Sequence, residues 1–516
     1  MRSTFAGFTT AQLAMRASQK ALDVTGQNIA NINTVGYTRQ RLDLMSLNTG
    51  NGVNKYESSV NVKVGNGVLT TGLSQIRDPF LDIRYRNEAA SVGTQDQKLA
   101  ILKDLETIFD EVTKNGLQNQ ISEISSMLQK LSSEVGNAEF DSMVKSSSDV
   151  LTKMFNQYAK QLDGIREEHE TNLNIDVTSI NDIIGNIEKL NETIKINHIH
   201  GNSALELQDQ RNLLIDELSS YMKIDVKYRV EKITDQVSVE VPVISLIGES
   251  GKIPLIDGNY KTELKVEKTA DGKTNISMTM PDATSQDVTE EVTGGTLKGI
   301  IDMLNKSGEF DRGGETVRGI GYYEQSLDLL ASKFAESFNT ANGPGKELFA
   351  ASDGTGIITA KNISVSEGWN NGTIGITASV IAGSPVGAND NILNMISMLS
   401  EKKDYMIPAK SAVAGPPPLP EEPEKLLFNG SFQEMFTNTG SMLALDVKST
   451  TALLENHLTI ADGVANMRDN VSAVSLDEEG MNILHYQNSY NAAARLMTAL
   501  DEAINTIING MGIVGR

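Results

Sequence analysis

Not one cysteine occurs in the 516 residues. That absence removes disulfides, thiolate zinc sites, iron–sulfur clusters and cysteine nucleophiles together. Aromatic residues make up only 5%, with a single tryptophan, Trp369. So few large rings predict few thick globular cores and favour long, thin helical packing. No run approaches the ~18 consecutive apolar residues of a membrane-spanning helix. Positive charge is in deficit: 45 Lys+Arg face 67 Asp+Glu, a formal net charge of −22. That field has the wrong sign for phosphate backbones or anionic lipid, so neither nucleic acid nor membrane is an expected partner.

Catalytic motifs are missing as well. There is no Gly-x-Ser-x-Gly, no phosphate-binding loop, no dinucleotide fingerprint and no His-Glu-x-x-His. Among the five histidines, only His198 and His200 stand close enough to suggest a metal clamp, and without cysteine a third ligand would have to be a carboxylate. A solvated turn ahead of a helix starting at Ser203 is the preferred reading of that pair. His457 falls on an apolar row, where a buried, hydrogen-bonded histidine is expected. Glu167-Glu168 and Asp477-Glu478-Glu479 could serve acid–base work. The second cluster, however, precedes an apolar helix, where carboxylates favour the helix start. No catalytic, metal or cofactor-binding residue is expected, and the chain is not read as an enzyme.

What is present is patterned. With 39% hydrophobic residues and 43 glycines, the chain has the apolar content of a folded protein. Its length predicts about three or four structural units. Residues 1–36 and 481–516 each hold only four charged side chains, about half the 22% of the whole chain. Both ends are also periodic. Ile483, Tyr486, Tyr490, Ala493, Met497, Leu500, Ile504, Ile507 and Met511 alternate steps of three and four, a helical seam that calls for a partner. Phe8, Met15, Leu22 and Ile29 sit seven apart, and three residues further on stand Ala11, Ser18, Thr25 and Ile32. These are mostly small, so the first helix is expected to pack closely on the last. Two helices are too little core to stand alone, so their remaining apolar surface awaits other subunits.

The same spacing recurs between the ends. It appears in Ile101, Leu105, Ile108 and Val112, and again in Leu117, Ile121, Ile124, Leu128, Leu131 and Val135. A third row runs Leu173, Val177, Ile180, Ile184, Ile187, Asn191 and Ile194, where Asn191 is expected to fix register. Two more are Leu327, Leu330, Phe334, Phe338 and Leu453, His457, Ile460, Val464, Met467, Val471, Val474. Residues 223–293 alternate instead, in Val226–Val230 and Val237–Val241, and Asp271-Gly272 marks a hairpin turn. Residues 343–430 are mixed: β-branched around Ile357–Val365 and Thr373–Val380, helical at Asn391–Lys402, and ending in Pro416–Pro423, a stiff exposed loop. The expected fold is mainly α with inserted β. A long antiparallel helical bundle or coiled coil is made from both termini, with β-rich outer domains. The expected division is 1–40 plus 475–516, a terminal coiled coil; 41–222 plus 294–342 plus 431–474, a long-helix bundle; 223–293, an inserted β domain; and 343–430, a mixed outer segment.

Two stretches carry a specific likeness. Asn28-Ile-Ala-Asn31-Ile-Asn33-Thr34-Val-Gly36-Tyr37-Thr38-Arg39-Gln40 resembles the Ala-Asn-x-Asn-Thr-x-Gly-Tyr signature of bacterial flagellar axial proteins: rod, hook and hook-associated proteins. Val474–Glu479 and Tyr486–Arg495 resemble the matching C-terminal signature. Leu207–Ser219 and Gly294–Ile301 are similar to the hook-associated proteins of the hook–filament junction. The likeness covers about 1–45, 95–225, 290–350 and 430–510. The chain departs from the pattern at Asn339–Asn342, where the family often has a His, and at Pro416–Pro423. In physical terms, Asn31, Asn33 and Thr34 compete for backbone hydrogen bonds and end the first helix, and Gly36 takes a left-handed turn. Tyr37 is expected to anchor the exit loop.

The resemblance implies a structural adaptor that self-assembles as a ring at the hook tip through its terminal helices. Its implied partners are hook protein, a second junction protein and further copies of itself. The implied interface residues are Phe8, Met15, Leu22, Ile29, Asn31, Asn33, Thr34, Gly36, Tyr37, Tyr490, Met497, Leu500, Ile504 and Ile507. A flagellar export chaperone is implied at Tyr490, Met497, Leu500 and Ile504 before secretion. The N-terminus is too polar for a cleaved secretory signal and by itself reads as cytoplasmic. The resemblance implies instead export through the flagellar type III apparatus to an extracellular site at the hook–filament junction. Alternatives are another axial protein (hook protein, the second junction protein or flagellin) or, from a different class, a secreted adhesin or surface enzyme using 223–430.

Overall fold

The computed structural model describes residues 6–47, 66–109, 116–232, 238–258, 260–269, 271–311, 316–381, 383–385, 387–411 and 421–510. Val112, Val237, Met511 and the Pro416–Pro420 part of the proline run lie outside them. The chain opens with helix α1 (Ala6–Ala30), then an antiparallel ribbon of β1 (Gln40–Ser46) and β2 (Val68–Gln75) with a bulge at Asp43/Leu44. Four helices follow: α2 (Pro79–Phe109), α3 (Leu117–Ser133), α4 (Ala138–Ile199) and α5 (Leu205–Tyr221). Two antiparallel sheets come next. One holds β3 (Ile224–Lys232), β4 (Ser238–Ile247), β5 (Lys252–Asp257) and β6 (Tyr260–Lys261), and the other β7 (Leu264–Lys268), β8 (Thr274–Thr279) and β9 (Ser285–Asp287).

Helices α6 (Thr296–Asn305) and α7 (Ile320–Asn342) lead to a short hairpin of β10 (Phe349–Ala351) and β11 (Ile363–Val365). After α8 (Glu367–Asn370) and α9 (Asp390–Ser400) comes a second hairpin, β12 (Lys403–Ile407) and β13 (Lys425–Gly430). The chain closes with α10 (Phe432–Ser472) and α11 (Leu476–Gly510). The protein is thus mainly helical, with antiparallel sheets inserted between helices. The ribbon at 40–75 interrupts a range expected to be helical. Thr373–Val380, read as β-branched, forms no strand. Its backbone is held instead by side chains, with Asn342 Oδ1 accepting from Thr377 N at 2.7 Å.

The apolar rows explain the helices. Every residue of Leu117–Leu131 on the α3 row and of Leu173–Ile194 on the α4 row is buried, so each helix exists because its stripe has a neighbour to cover it. Asn191 is buried within its row and accepts from Arg211 Nη1 on α5 at 3.1 Å. Helix α10 begins with a capping box, where the Ser431 hydroxyl accepts from Glu434 N at 3.2 Å and the Glu434 carboxylate accepts from Ser431 N at 2.8 Å. It runs antiparallel to α2, with Phe436 against Phe109 at one end and Arg468 over Tyr85 at the other. The scarce aromatics are not spread thin. Phe334, Phe338, Phe349, Phe432 and Trp369 form one interlocked cluster with centroids 4.7–6.0 Å apart, a local thick core between α7, α10 and the β10–β11 hairpin.

Gly295 is where three elements meet closely. Its φ is +91°, and a Cβ there would lie 2.2 Å from the Tyr221 carbonyl at the end of α5. No other residue could start α6 in that place.

Asp328 on α7 carries a cost. Burial pushes its carboxyl up to about 6; the Ala360 N–H, donating to Oδ1 at 2.8 Å, opposes this, while Glu324 and Asp163 add repulsion. The folded chain therefore binds this proton more tightly than the unfolded chain. The site's contribution is most favourable below the unfolded value of 3.8 and is lost as pH rises through about 6. Asp328→Asn keeps an acceptor for Ala360. It is expected to stabilise the protein by about 1–3 kcal/mol at neutral pH and to change little near pH ~4, read from thermal melting at the two pH values.

Candidate functional site

Helix α1 is rich in Ala and ends at Ala30 because Asn31 turns its side chain onto the backbone. Its Nδ2 donates to the Gln27 carbonyl at 2.9 Å, and its Oδ1 accepts from the Thr34 hydroxyl at 3.2 Å. Gly36 follows with φ +79°, the left-handed geometry that a side chain would strain. Asn33 is exposed at this turn. The chain then folds back onto its own helix. Asn28, 2% exposed, donates from Nδ2 to the Gln40 carbonyl, and its Oδ1 accepts from Gln40 N, both at 3.0 Å. The same Oδ1 accepts from the Tyr37 hydroxyl at 2.9 Å. Burial, reinforced by the carboxylates of Glu206, Asp209 and Glu479, pushes the Tyr37 phenol well above its ordinary value, so it stays a donor. Asn28 was not among the expected site residues. It sits inside the helix, upstream of the cap where the signature draws attention.

The next residues join four helices. Thr38 N donates to Asp209 Oδ2 on α5 at 3.0 Å, and Gln40 Nε2 donates to Glu206 Oε1 at 3.0 Å. Arg39 N donates to the carbonyl of Ser472, the last residue of α10, at 2.9 Å. The Arg39 guanidinium donates from Nε to Glu479 Oε1 at 2.7 Å and from Nη1 to Glu478. Glu478 and Glu479 lie in the first turn of α11, where carboxylates also favour the helix dipole. The N-terminal signature, the C-terminal signature and the Leu207–Ser219 motif therefore meet at one clasp.

From this clasp α1 and α11 run antiparallel. Ala11, Ser18 and Thr25 are buried, together with Ala17 and Ala21, and Leu500 lies over Gly7, where an added Cβ would be 3.0 Å from Leu500 Cδ1. Small residues let the two backbones approach. Phe8, Met15, Leu22, Ile29, Met497, Leu500 and Ile504 are half-buried along this contact, and Tyr490 and Ile507 are exposed. Met481, Leu484, Leu496 and Ile508 on α11 are exposed too and lie off the expected seam. The second half of α10 behaves likewise. Val464 is buried, but Leu453, Ile460, Met467 and Val471 are exposed, and Val474 falls beyond the helix end. Apolar residues on more than one face were the signal for this surface.

His198 and His457 have structural partners. His198 Nε2 donates to the Ser203 carbonyl at 3.0 Å, and His200 ends α4 in the open. The helix after that turn starts at Leu205, not at Ser203. His457 is hydrogen-bonded to Glu88 Oε2 at 3.0 Å but half-buried, because the face of α10 around it lacks cover. Among the described residues no group of three His, Cys, Asp or Glu side chains could hold a metal ion. No described helix is long and apolar enough to cross a membrane.

The family described as "Flagellar hook-associated protein FlgK helical domain" matches residues 102–356, and "Flagella basal body rod protein" matches residues 8–38. Flagellar hook-associated protein 1 of Bacillus subtilis (strain 168) is 29% identical over 527 residues, covering 100% of both chains. The chain belongs to the flagellar hook-associated protein 1 family. The Escherichia coli (strain K12) member is 22% identical, covering 97% of this chain and 98% of its own. The solved flagellar hook junction protein FlgK from Burkholderia pseudomallei is 18% identical with a TM-score of 0.41, covering 54% of this chain and 46% of that one. Membership makes this chain a structural protein of the flagellar axis.

Proposed function

We propose that the chain is an adaptor joining hook to filament, assembling as a ring at the hook tip through its terminal helices. The observation that carries this reading is the uncovered apolar surface of the two closing helices. Leu453, Met467 and Val471 on α10 and Met481, Leu484, Leu496 and Ile508 on α11 are exposed in the single chain. Large apolar side chains left exposed along both closing helices mark an interaction site. In this reading residues 1–40 plus 475–516 form an inner-tube coiled coil, and the 41–222, 294–342 and 431–474 helices form a surrounding bundle. The sheets of 223–293 and the 343–430 segment face outward. Hook protein is the partner on one side and the second junction protein on the other. The test is to add purified protein to isolated hooks and look for a cap by electron microscopy. Hooks left bare at saturating protein would reject the adaptor role.

Before secretion, the same reading assigns the export chaperone to Tyr490, Met497, Leu500 and Ile504, taken as an amphipathic helix in a groove. Leu500 covers Gly7 in the folded chain, so chaperone and α1 compete for one face. Burying one large side chain is worth ~1.5–3 kcal/mol, so Leu500→Asp is expected to weaken chaperone binding at least about tenfold. Unchanged affinity by calorimetry would move the site elsewhere.

A further inference from the structure

The Leu207–Ser219 motif does more than meet the clasp. Its Arg211 lines a cavity of about 580 Å³ bounded by α2, the end of α4, α5 and the β3–β4 hairpin. The side chain is 4% exposed. Its Nη1 donates to Asn191 Oδ1, its guanidinium lies 5.7 Å from the Tyr228 ring centroid, and its Nε has no partner. No carboxylate lies within ion-pair distance of Arg211 among the described residues. A buried guanidinium without a counter-charge is expensive.

Its surroundings add to the imbalance. Arg86, 5% exposed, lines the same cavity, and its Nη2 also lacks a partner. Its Nε donates to Asp216 Oδ1 at 2.7 Å, but Asp216 is shared with Arg468, whose Nη1 reaches Oδ2 at 2.6 Å. Arg77 is satisfied by Asp82 through bonds of 2.6 and 3.0 Å, and Asp209 is held by Thr38 N. Four guanidiniums therefore face three carboxylates in this cluster, inside a chain of net charge −22. Lys227 and Glu240, both exposed, also line the cavity. Burial depresses the Arg211 pKa, and Arg77 and Arg86 add repulsion.

We propose that this cavity is a binding site for a small oxyanion of the carboxylate or phosphate class, with Arg211 as its principal counter-charge and Lys227 at its entrance. A planar guanidinium offers paired donors that match either oxyanion, and the cavity volume falls in the range usual for small ligands.

The full-length protein is titrated by calorimetry with inorganic phosphate and, separately, with glutarate, using chloride at matched ionic strength as the control. Saturable binding of at least one oxyanion is expected, with a rise in melting temperature that chloride does not give. Phosphate alone identifies a tetrahedral ligand and glutarate alone a carboxylate, and either supports the site. Arg211→Gln is expected to lower affinity at least about tenfold. Lys227→Gln changes an exposed residue, leaves folding intact, and is expected to lower affinity about two- to fivefold. It also decides the matter if Arg211→Gln fails to fold. No saturable heat with either anion would overturn the proposal, as would binding undiminished in Lys227→Gln.

Discussion

Leu496→Glu is expected to leave the isolated protein folded and to abolish its assembly onto hooks. Leu496 is 48% exposed and flanks the α11 seam that packs on α1, so an apolar-to-charged change there costs the single chain no more than ~0.5 kcal/mol. The cost arises only when a neighbouring subunit covers the position. Burying an unpaired carboxylate then costs several kcal/mol, repeated at every subunit of a ring. Thermal melting and helix content should match the parent protein, while electron microscopy shows bare hooks. Cells carrying the variant should make hooks, release flagellin into the medium and not swim. Met497→Glu makes an instructive partner. Met497 is half-buried on the α1 side, so its change also loosens the α1–α11 pair while sparing the middle of the chain. Substitutions at His198, His200 or Glu168 should leave motility intact. Normal capping by Leu496→Glu would remove this face of α11 from the interface.

These positions show how far the pattern of residues reaches. The rows on α3, α4 and α7 named both the helices and their covered faces, because the covering elements belong to the same chain and repeat with the same period. On α10 the row named the helix but not the covered face. Leu453, Ile460, Met467 and Val471 are as apolar as any core row, yet among the described residues they stay exposed. Periodicity reports that a face is apolar and does not report whether its partner is intramolecular.

The β1–β2 ribbon escaped for the opposite reason. Leu42 is half-buried and Leu44 and Met45 are exposed, so the strands bury no consistent face and leave no strong alternation. The close α1–α11 approach was legible in Ala11, Ser18 and Thr25, since small side chains at heptad spacing serve no other packing purpose so well. The clasp was legible only as two separate motifs. Asn28 bonds across 12 residues and Arg39 across 440, and no local propensity encodes a partner at that distance.

Arg39→Ala is the sharpest probe of that clasp. The Glu479 side chain is 2% exposed, and Arg39 Nε holds it at 2.7 Å. Glu478, at 54% exposure, is solvated and gains little from its bond to Arg39. Removing the guanidinium leaves one buried carboxylate without its partner, a loss of about 2–4 kcal/mol. The loss falls on the turn between α10 and α11 and on the end of α1, the segments Arg39 ties together. The expected result is faster hydrogen exchange and earlier proteolytic cleavage near residues 472–480, with weakened hook capping and little change in melting of the middle helices. Glu479→Gln in the Arg39→Ala background removes the stranded charge and should recover about half of the loss, a coupling that a double-mutant cycle measures. If Arg39→Ala is no more protease-sensitive than the parent, or Glu479→Gln recovers nothing, the pair does not hold the two ends of the chain together.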